Sequence, residues 1–229
     1  MWKSKRLKQF GGTCGYFALA NALNYIAPND NLLKFKDVEK IIKATIQKGY
    51  SNIGEIFRYD AFESIMLEFK NYNKQLCFNY EFVDFNKELV DSLSENQAIV
   101  VNYCSFPQER GGAFANSHWV AIVKARKWRF IGKKNKIMII NSSKAKKKKI
   151  DDIYVSAAKL QGKQFDWIEF LESKGFKKYY LKNRKINRRL NRYIYQIGID
   201  FKTKMNDEQY QKDHAIIQHD HSKCLLITF

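Results

Sequence analysis

The chain has 229 residues, enough for one domain with a buried core but few for several domains. With 45% hydrophobic and 15% aromatic residues, the composition excludes a disordered protein, because disordered chains lack large apolar side chains. The formal net charge of +18 favours an acidic partner or nucleic acid, although a solvated lysine-rich surface is the simpler explanation.

Helices are predicted first along the chain. Apolar residues recur at helical spacing over 13–26, 37–47 and 56–69. Thr13 is the predicted N-cap of the first helix, and Gly49 follows the second helix as its C-cap. After these helices, alternation of apolar and polar residues predicts a strand over 76–80, and a short helix follows at 86–93.

Strands dominate the second half. The predicted elements are strands at 98–104, 117–125 and 137–141, a helix at 165–174, and late strands at 176–181 and 192–201. The lysine-rich segments 133–136 and 146–149 are predicted to be solvated turns or loops. Helices followed by antiparallel strands indicate an α+β fold, with one domain over residues 1–203 and a polar tail with an apolar end over 204–229.

The four cysteines indicate a reducing compartment. Cys14, Cys77, Cys104 and Cys224 lie far apart without a CxxC pair, which argues against a disulfide framework and a zinc ribbon. The basic N-terminus lacks the apolar core of a signal peptide, and no apolar run is long enough to span a membrane. We therefore expect a cytoplasmic protein, or one delivered into a host cell without a cleavable signal peptide.

Cys14 is the candidate nucleophile. It falls at the first position of a predicted helix, where partial positive charge and unpaired N–H groups favour a thiolate. Its neighbours Gly12, Thr13 and Gly15 are turn or small residues, unlike the strand-like surroundings of Cys77 and Cys104.

His118 and Asn141 complete a candidate triad. His118 begins a hydrophobic strand, and the other three histidines all lie near the end of the chain. Asn141 ends the next apolar strand, and its side-chain oxygen could orient the imidazole if the two strands pair as neighbours. Gln9, five residues before Cys14, could donate to the oxyanion of a reacting carbonyl together with the backbone N–H of Cys14.

The order Gln, Cys, His, Asn resembles that of the papain-like cysteine peptidases, and most closely the Josephin-type deubiquitinases. The matching segments are QFGGTCGYFAL from Gln9, the pair His118-Trp119, the element Ile140-Asn141-Ser142 and the later FLESKGFKKYYLK. The resemblance implies a papain-like catalytic domain over 1–203, in which a helix with the nucleophile at its N-terminus packs on an antiparallel sheet. It further implies cleavage of peptide or isopeptide bonds, with ubiquitin as a candidate partner and Trp119 in substrate binding.

Three departures keep other functions open. The stretch between His118 and Asn141 is longer and more basic than in the Josephin-type deubiquitinases. Gly15 is shared with papain and with bacteriocin-leader peptidases. The chain from Arg184 onward has no counterpart in the Josephin-type family. The same residues would serve a glutamine deamidase, a transglutaminase-like enzyme or a leader-peptide peptidase. A third possibility is a basic nucleic-acid-binding protein with a vestigial Cys-His pair.

No cofactor or metal is expected. The final segment contains metal-ligand residue types at His214, His219, His221 and Cys224, but their spacing matches no usual zinc finger. We therefore interpret these residues as part of a polar tail.

Overall fold

The structure, a computed structural model, describes residues 6–9, 13–27, 32–51, 59–72, 76–104, 117–124, 137–142, 149–158, 164–166, 216–218 and 223–229. Within these ranges, helices come first and most strands follow. The first three helices are α1 (Cys14–Ile26), α2 (Phe35–Gln47) and α3 (Tyr59–Tyr72). They match the helices predicted from periodicity, although α3 begins and ends three residues later.

Helix α1 is buried on every side. All its residues from Gly15 to Ile26 are buried, as expected for a helix whose apolar residues are not confined to one face. Helix α2 buries only one stripe, which includes Val38, Ile41 and Ile46. It ends at Gln47, and Gly49 follows with a φ of 79°, in the left-handed region that glycine adopts without steric cost.

The main sheet has five strands in the order β1-β7-β2-β3-β4, and every pair is antiparallel. These strands are β1 (Asn79–Asp84), β2 (Gln97–Cys104), β3 (Ser117–Lys124), β4 (Ile137–Ile140) and β7 (Lys223–Thr228). The remaining described elements are α4 (Lys87–Ser92), α5 (Ile150–Ala158) and a two-stranded sheet of β5 (Gln164–Asp166) and β6 (Ile216–Gln218). The mixture of helices and antiparallel sheet confirms the predicted α+β class.

The sheet is buried on both faces. Ala98 and Val100 of β2 pack in the core formed with α1, whereas Ile99 and Val101 pack in a second core with residues of α4 and α5. Alternate side chains of a strand point to opposite faces, so burial of both faces makes β2 continuously apolar rather than alternating. None of the described helices is long and apolar enough to cross a membrane.

Strand β7 lies in the interior of the sheet, between β1 and β2. Its residues from Cys224 to Ile227 are buried, and Phe229 adds a backbone bond of 2.9 Å to Asn96. The apolar end expected on a polar tail is therefore part of the core of the domain. The boundary at residue 203 stays a prediction, because it lies outside the described residues.

Three further differences from the predicted elements have local explanations. The strand expected at 76–80 is shifted to 79–84, where each residue pairs with one of β7. Helix α5 has no predicted counterpart; its start is capped by Asp152, which accepts from the backbone N–H of Lys149 at 3.2 Å. Residues 165–166 form part of β5 rather than the start of a helix, because they pair with β6. The rest of that helix and the two late strands fall outside the described residues.

Candidate active site

Cys14 is the first residue of α1, with the buried Thr13 as N-cap. The thiol is partly buried and receives hydrogen bonds from the backbone N–H groups of Gly15 and Trp119. Gly15 belongs to the first turn of the same helix, where N–H groups lack intrahelical acceptors. Trp119 belongs to β3, so donors from two elements converge on the sulfur.

His118 lies next to Trp119 near the start of β3, and its side chain is only 8% exposed. The β2–β3 register places it opposite Tyr103, and the two rings meet edge to face at 5.9 Å between centroids. This ring contact restricts the plane of the imidazole. The imidazole also forms a hydrogen bond with the thiol of Cys14.

Asn141 follows β4 directly and contacts the other side of the imidazole. Ala121 pairs with Ile140 across β3 and β4, so Asn141 continues that register alongside the start of β3. The distance between His118 Nε2 and Asn141 Oδ1 is 2.8 Å. Since a carbonyl oxygen only accepts, Nε2 carries the proton that it donates, and Nδ1 is the ring nitrogen left for the thiol of Cys14.

The electrostatics of the Cys14–His118 pair favour charge separation. Burial alone would raise the pKa of Cys14, but the hydrogen bond and charge of His118, with the N–H groups of Trp119 and Gly15, outweigh burial and lower it. Burial alone would lower the pKa of His118, but the hydrogen bond and charge of Cys14 and the hydrogen bond to Asn141 raise it. The pair can therefore exist as thiolate and imidazolium, the form in which a cysteine attacks carbonyl carbon.

Alkylation of Cys14 by iodoacetamide should reach half its maximal rate at a lower pH than that of an ordinary thiol, whose pKa is about 8.5. A lowered pKa means that the proton leaves at lower pH, so thiolate is present while His118 is still protonated. In His118→Ala, only the backbone N–H groups of Trp119 and Gly15 still oppose the effect of burial on the thiol, so the midpoint should rise.

The measurement is the rate of carbamidomethylation of Cys14 against pH by mass spectrometry. Exposed Cys77 in the same sample serves as an internal reference. A midpoint that stays unchanged or falls in His118→Ala would contradict the pairing of thiol and imidazole.

Gln9 is tied to the residue that follows Asn141. The hydroxyl of Ser142 donates to Gln9 Oε1 at 2.6 Å, and the backbone N–H of Gln9 donates to the carbonyl of Ser142 at 3.2 Å. Because Oε1 is the accepting end of the amide, the amide nitrogen is the end that can donate elsewhere. Ser142 is buried, so this connection is protected from water.

A second connection holds the N-terminal segment against α1. The side chain of Asn21 accepts from the N–H of Leu7 at 2.9 Å and donates to the carbonyl of the same residue at 3.0 Å. Sequence reasoning missed this role of Asn21 and that of Ser142. A signal was present for Asn21, because it is one of two asparagines within a largely apolar helix.

Trp119 follows His118 in β3. Its side chain is 2% exposed and packs edge to face on Phe62, with ring centroids 4.8 Å apart. The indole therefore packs in the core, and the substrate-binding role expected of Trp119 stays a prediction. The backbone N–H of Trp119 is the group that lies at the site.

Asn102 lies in the sheet directly opposite Trp119 and is 2% exposed. Neither atom of its amide has a hydrogen-bond partner among the residues that the structure describes. We expect Asn102→Leu to raise the free energy of unfolding by about 1–3 kcal/mol, because an unpaired buried amide is destabilising. Urea denaturation with an unchanged m-value measures this effect, and a decrease in stability would show that the amide is hydrogen-bonded in solution.

The residue types expected in a metal site are not brought together in the described part of the chain. No group of three or more His, Cys, Asp or Glu side chains there is placed to hold a metal ion. Cys224, the last member of the histidine-rich segment, is buried in β7, and burial raises its pKa to about 12. Its thiol is thus kept protonated, whereas metal ligation requires a thiolate. His214, His219 and His221 lie outside the described residues.

A comparison with protein families finds a match over the first half of the chain. The model of the family described as "Actin maturation protease-like, C-terminal domain" matches residues 4–125, which is 122 of the 229 residues. The matched range contains Gln9, Cys14 and His118 and ends before Asn141. No curated protein and no solved structure matches the chain.

Proposed function

We propose that this chain, which belongs to the actin maturation protease-like family, is a cysteine peptidase that cleaves peptide or isopeptide bonds with Cys14 as nucleophile. The family is related to the papain-like cysteine peptidases, which supports a peptidase-related function and a papain-like arrangement of the fold. One observation carries the proposal further: a hydrogen-bonded series runs from the thiol of Cys14 through His118 to Asn141.

In the proposed reaction, the Cys14 thiolate attacks the carbonyl carbon of the substrate, and the carbonyl electrons move onto oxygen. His118 then donates its proton to the leaving amine as the carbon–nitrogen bond breaks, which leaves a thioester on Cys14. Water attacks the thioester and gives one proton to His118, and the thiolate of Cys14 leaves as the carboxylic acid forms, which restores the thiolate–imidazolium pair. Asn141 keeps the imidazole in the tautomer and orientation that both steps need.

The developing oxyanion needs donors of its own. We assign this role to the backbone N–H of Cys14, at the start of α1, and to the amide nitrogen of Gln9. The hydrogen bond from Ser142 to Gln9 Oε1 supports this assignment, because it fixes which end of the amide accepts. Removing one oxyanion donor typically lowers kcat about 10²–10³-fold.

The proposed substrate is a protein or peptide. The resemblance to Josephin-type deubiquitinases makes a ubiquitin conjugate one candidate, and the net charge of +18 favours an acidic substrate surface. We also propose a reducing, cytoplasmic setting, since the described cysteines Cys14, Cys77 and Cys224 are free thiols.

The test is incubation of the protein with a peptide library derived from a proteome, followed by mass spectrometry of new chain ends. Wild type should generate chain ends that Cys14→Ala does not, and Cys77→Ala should behave as wild type because that residue is exposed and lies outside the site. Parallel assays with ubiquitin–aminomethylcoumarin and a ubiquitin-based covalent probe test whether the protein cleaves ubiquitin conjugates.

Other outcomes point to the alternatives. A gain of about one mass unit on glutamine without chain cleavage would indicate a deamidase, and cross-linked peptides would indicate a transglutaminase-like enzyme. No chemistry at Cys14, with salt-sensitive binding to nucleic acid that survives Cys14→Ala, would replace the peptidase with a binding protein.

A further inference from the structure

We propose that Asn21 is a positioning residue for the oxyanion donor Gln9, an inference that rests on the proposed function. Asn21 lies in α1, two turns after Cys14, and is 4% exposed. Its amide pairs with both backbone polar groups of Leu7, two residues before Gln9. Among side chains, only the primary amides carry a donor nitrogen and an acceptor oxygen on one carbon, and glutamine, the other such residue, is longer.

The spacing along α1 makes this anchor effective. Seven residues separate Cys14 from Asn21, which corresponds to about 10.5 Å along the helix axis with a rotation of only about 20°. Both side chains therefore lie on the same side of α1. The segment after Leu7 must return toward Thr13, and two extended residues span at most about 7 Å. Anchoring Leu7 at Asn21 thus keeps Gln9 within about 7 Å of a point that is fixed on the nucleophile helix.

Gln9 is held at its other side by Ser142. Its backbone N–H and its side-chain oxygen both bond to that residue, which directly follows Asn141. The segment carrying Gln9 is consequently fixed at two points, one on the nucleophile helix and one beside the triad amide. Loss of the Asn21 anchor removes one of these two points, so Gln9 gains freedom while Cys14 and His118 keep their contacts.

The chain contains a matched control on the same helix. Asn24 is also buried, and its amide pairs with both backbone polar groups of Leu33 at 2.7 and 2.8 Å. Asn24 therefore resembles Asn21 in its hydrogen bonds and its burial. Its partner Leu33, however, leads into α2 and has no described link to Gln9. Asn24→Ala therefore removes the same kind of bond pair without touching the oxyanion donor.

The experiment compares two reactions of Cys14 in wild type, Asn21→Ala and Asn24→Ala. Acylation by p-nitrophenyl acetate passes through a tetrahedral oxyanion, whereas alkylation by iodoacetamide does not, so only acylation depends on Gln9. We expect Asn21→Ala to lower the acylation rate about 10–100-fold and to leave the alkylation rate and its pH midpoint unchanged. Asn24→Ala should change neither rate, and Asn21→Ala added to Gln9→Ala should cause no further loss.

Parallel loss of acylation and alkylation in Asn21→Ala, or unchanged acylation, would overturn the inference, as would full additivity with Gln9→Ala. If Asn21→Ala does not fold, Leu7→Pro serves instead, because it removes the N–H that bonds Asn21 and leaves α1 intact. A wild-type protein whose Cys14 is neither acylated nor alkylated would refute the proposed function itself. A reactive wild type with an unaffected Asn21→Ala refutes only the positioning role.

Discussion

Cys14→Ala should lower kcat/KM for peptide cleavage at least about 10⁴-fold relative to wild type. The variant has no group that can form the thioester. The oxyanion donors that remain can assist only the direct attack of water on the substrate carbonyl. His118→Ala should lose nearly as much, because the thiol then lacks both the hydrogen bond and the charge that lower its pKa. Since the two residues act as a unit, the double variant should be no worse than either single variant.

The measurement is kcat/KM on the first cleavable peptide found in the library experiment, with folding checked by circular dichroism. Cys77→Ala is the matched control, since it removes an exposed thiol outside the site. Cleavage retained in Cys14→Ala at even a tenth of the wild-type rate would show that another residue is the nucleophile. A loss in the double variant equal to the product of the single losses would contradict a concerted pair.

Ile227→Asp should prevent the domain from folding. Ile227 is fully buried in β7, where it pairs with residues of both β1 and β2. A carboxylate there has no described cationic partner, and an unpaired buried charge costs several kcal/mol. That cost is comparable to the total stability of a small domain, about 5–15 kcal/mol.

Circular dichroism and thermal unfolding provide the measurement, with Lys223→Gln as a control at the exposed end of the same strand. Surface changes of this type usually alter stability by less than about 0.5 kcal/mol. A folded Ile227→Asp protein with wild-type thermal stability would contradict the placement of β7. Residues 204–229 would then be the independent tail that the composition predicts.

Local sequence patterns were sufficient to predict the start of α1 and the proximity of His118 and Asn141. The turn residues before Cys14 and the apolar periodicity after it mark the start of α1 because both signals act within one or two helical turns. His118 and Asn141 could be placed together because strands that follow each other in sequence commonly pair. Their predicted neighbourhood is present in the structure, while their catalytic roles stay a proposal.

The position of β7 could not be predicted in the same way. Residues 79–84 pair with residues 223–228, and nothing in a single sequence selects that pairing among distant strands. Polar residues before the final apolar run favoured a tail instead. The bonds that hold Gln9 were hidden for the same reason, since Ser142 lies 133 residues away and contacts it only in the folded chain.

The burial of α1 from Gly15 to Ile26 bears on how the protein responds to ionic strength. Mobile ions screen charges that face water, but they cannot enter the packed layer around this helix. The attraction between its N-terminus and the thiolate should therefore persist in concentrated salt, whereas attraction of acidic molecules to the basic exterior should fade. Titration with sodium chloride thus separates the capture of a substrate from its chemical conversion.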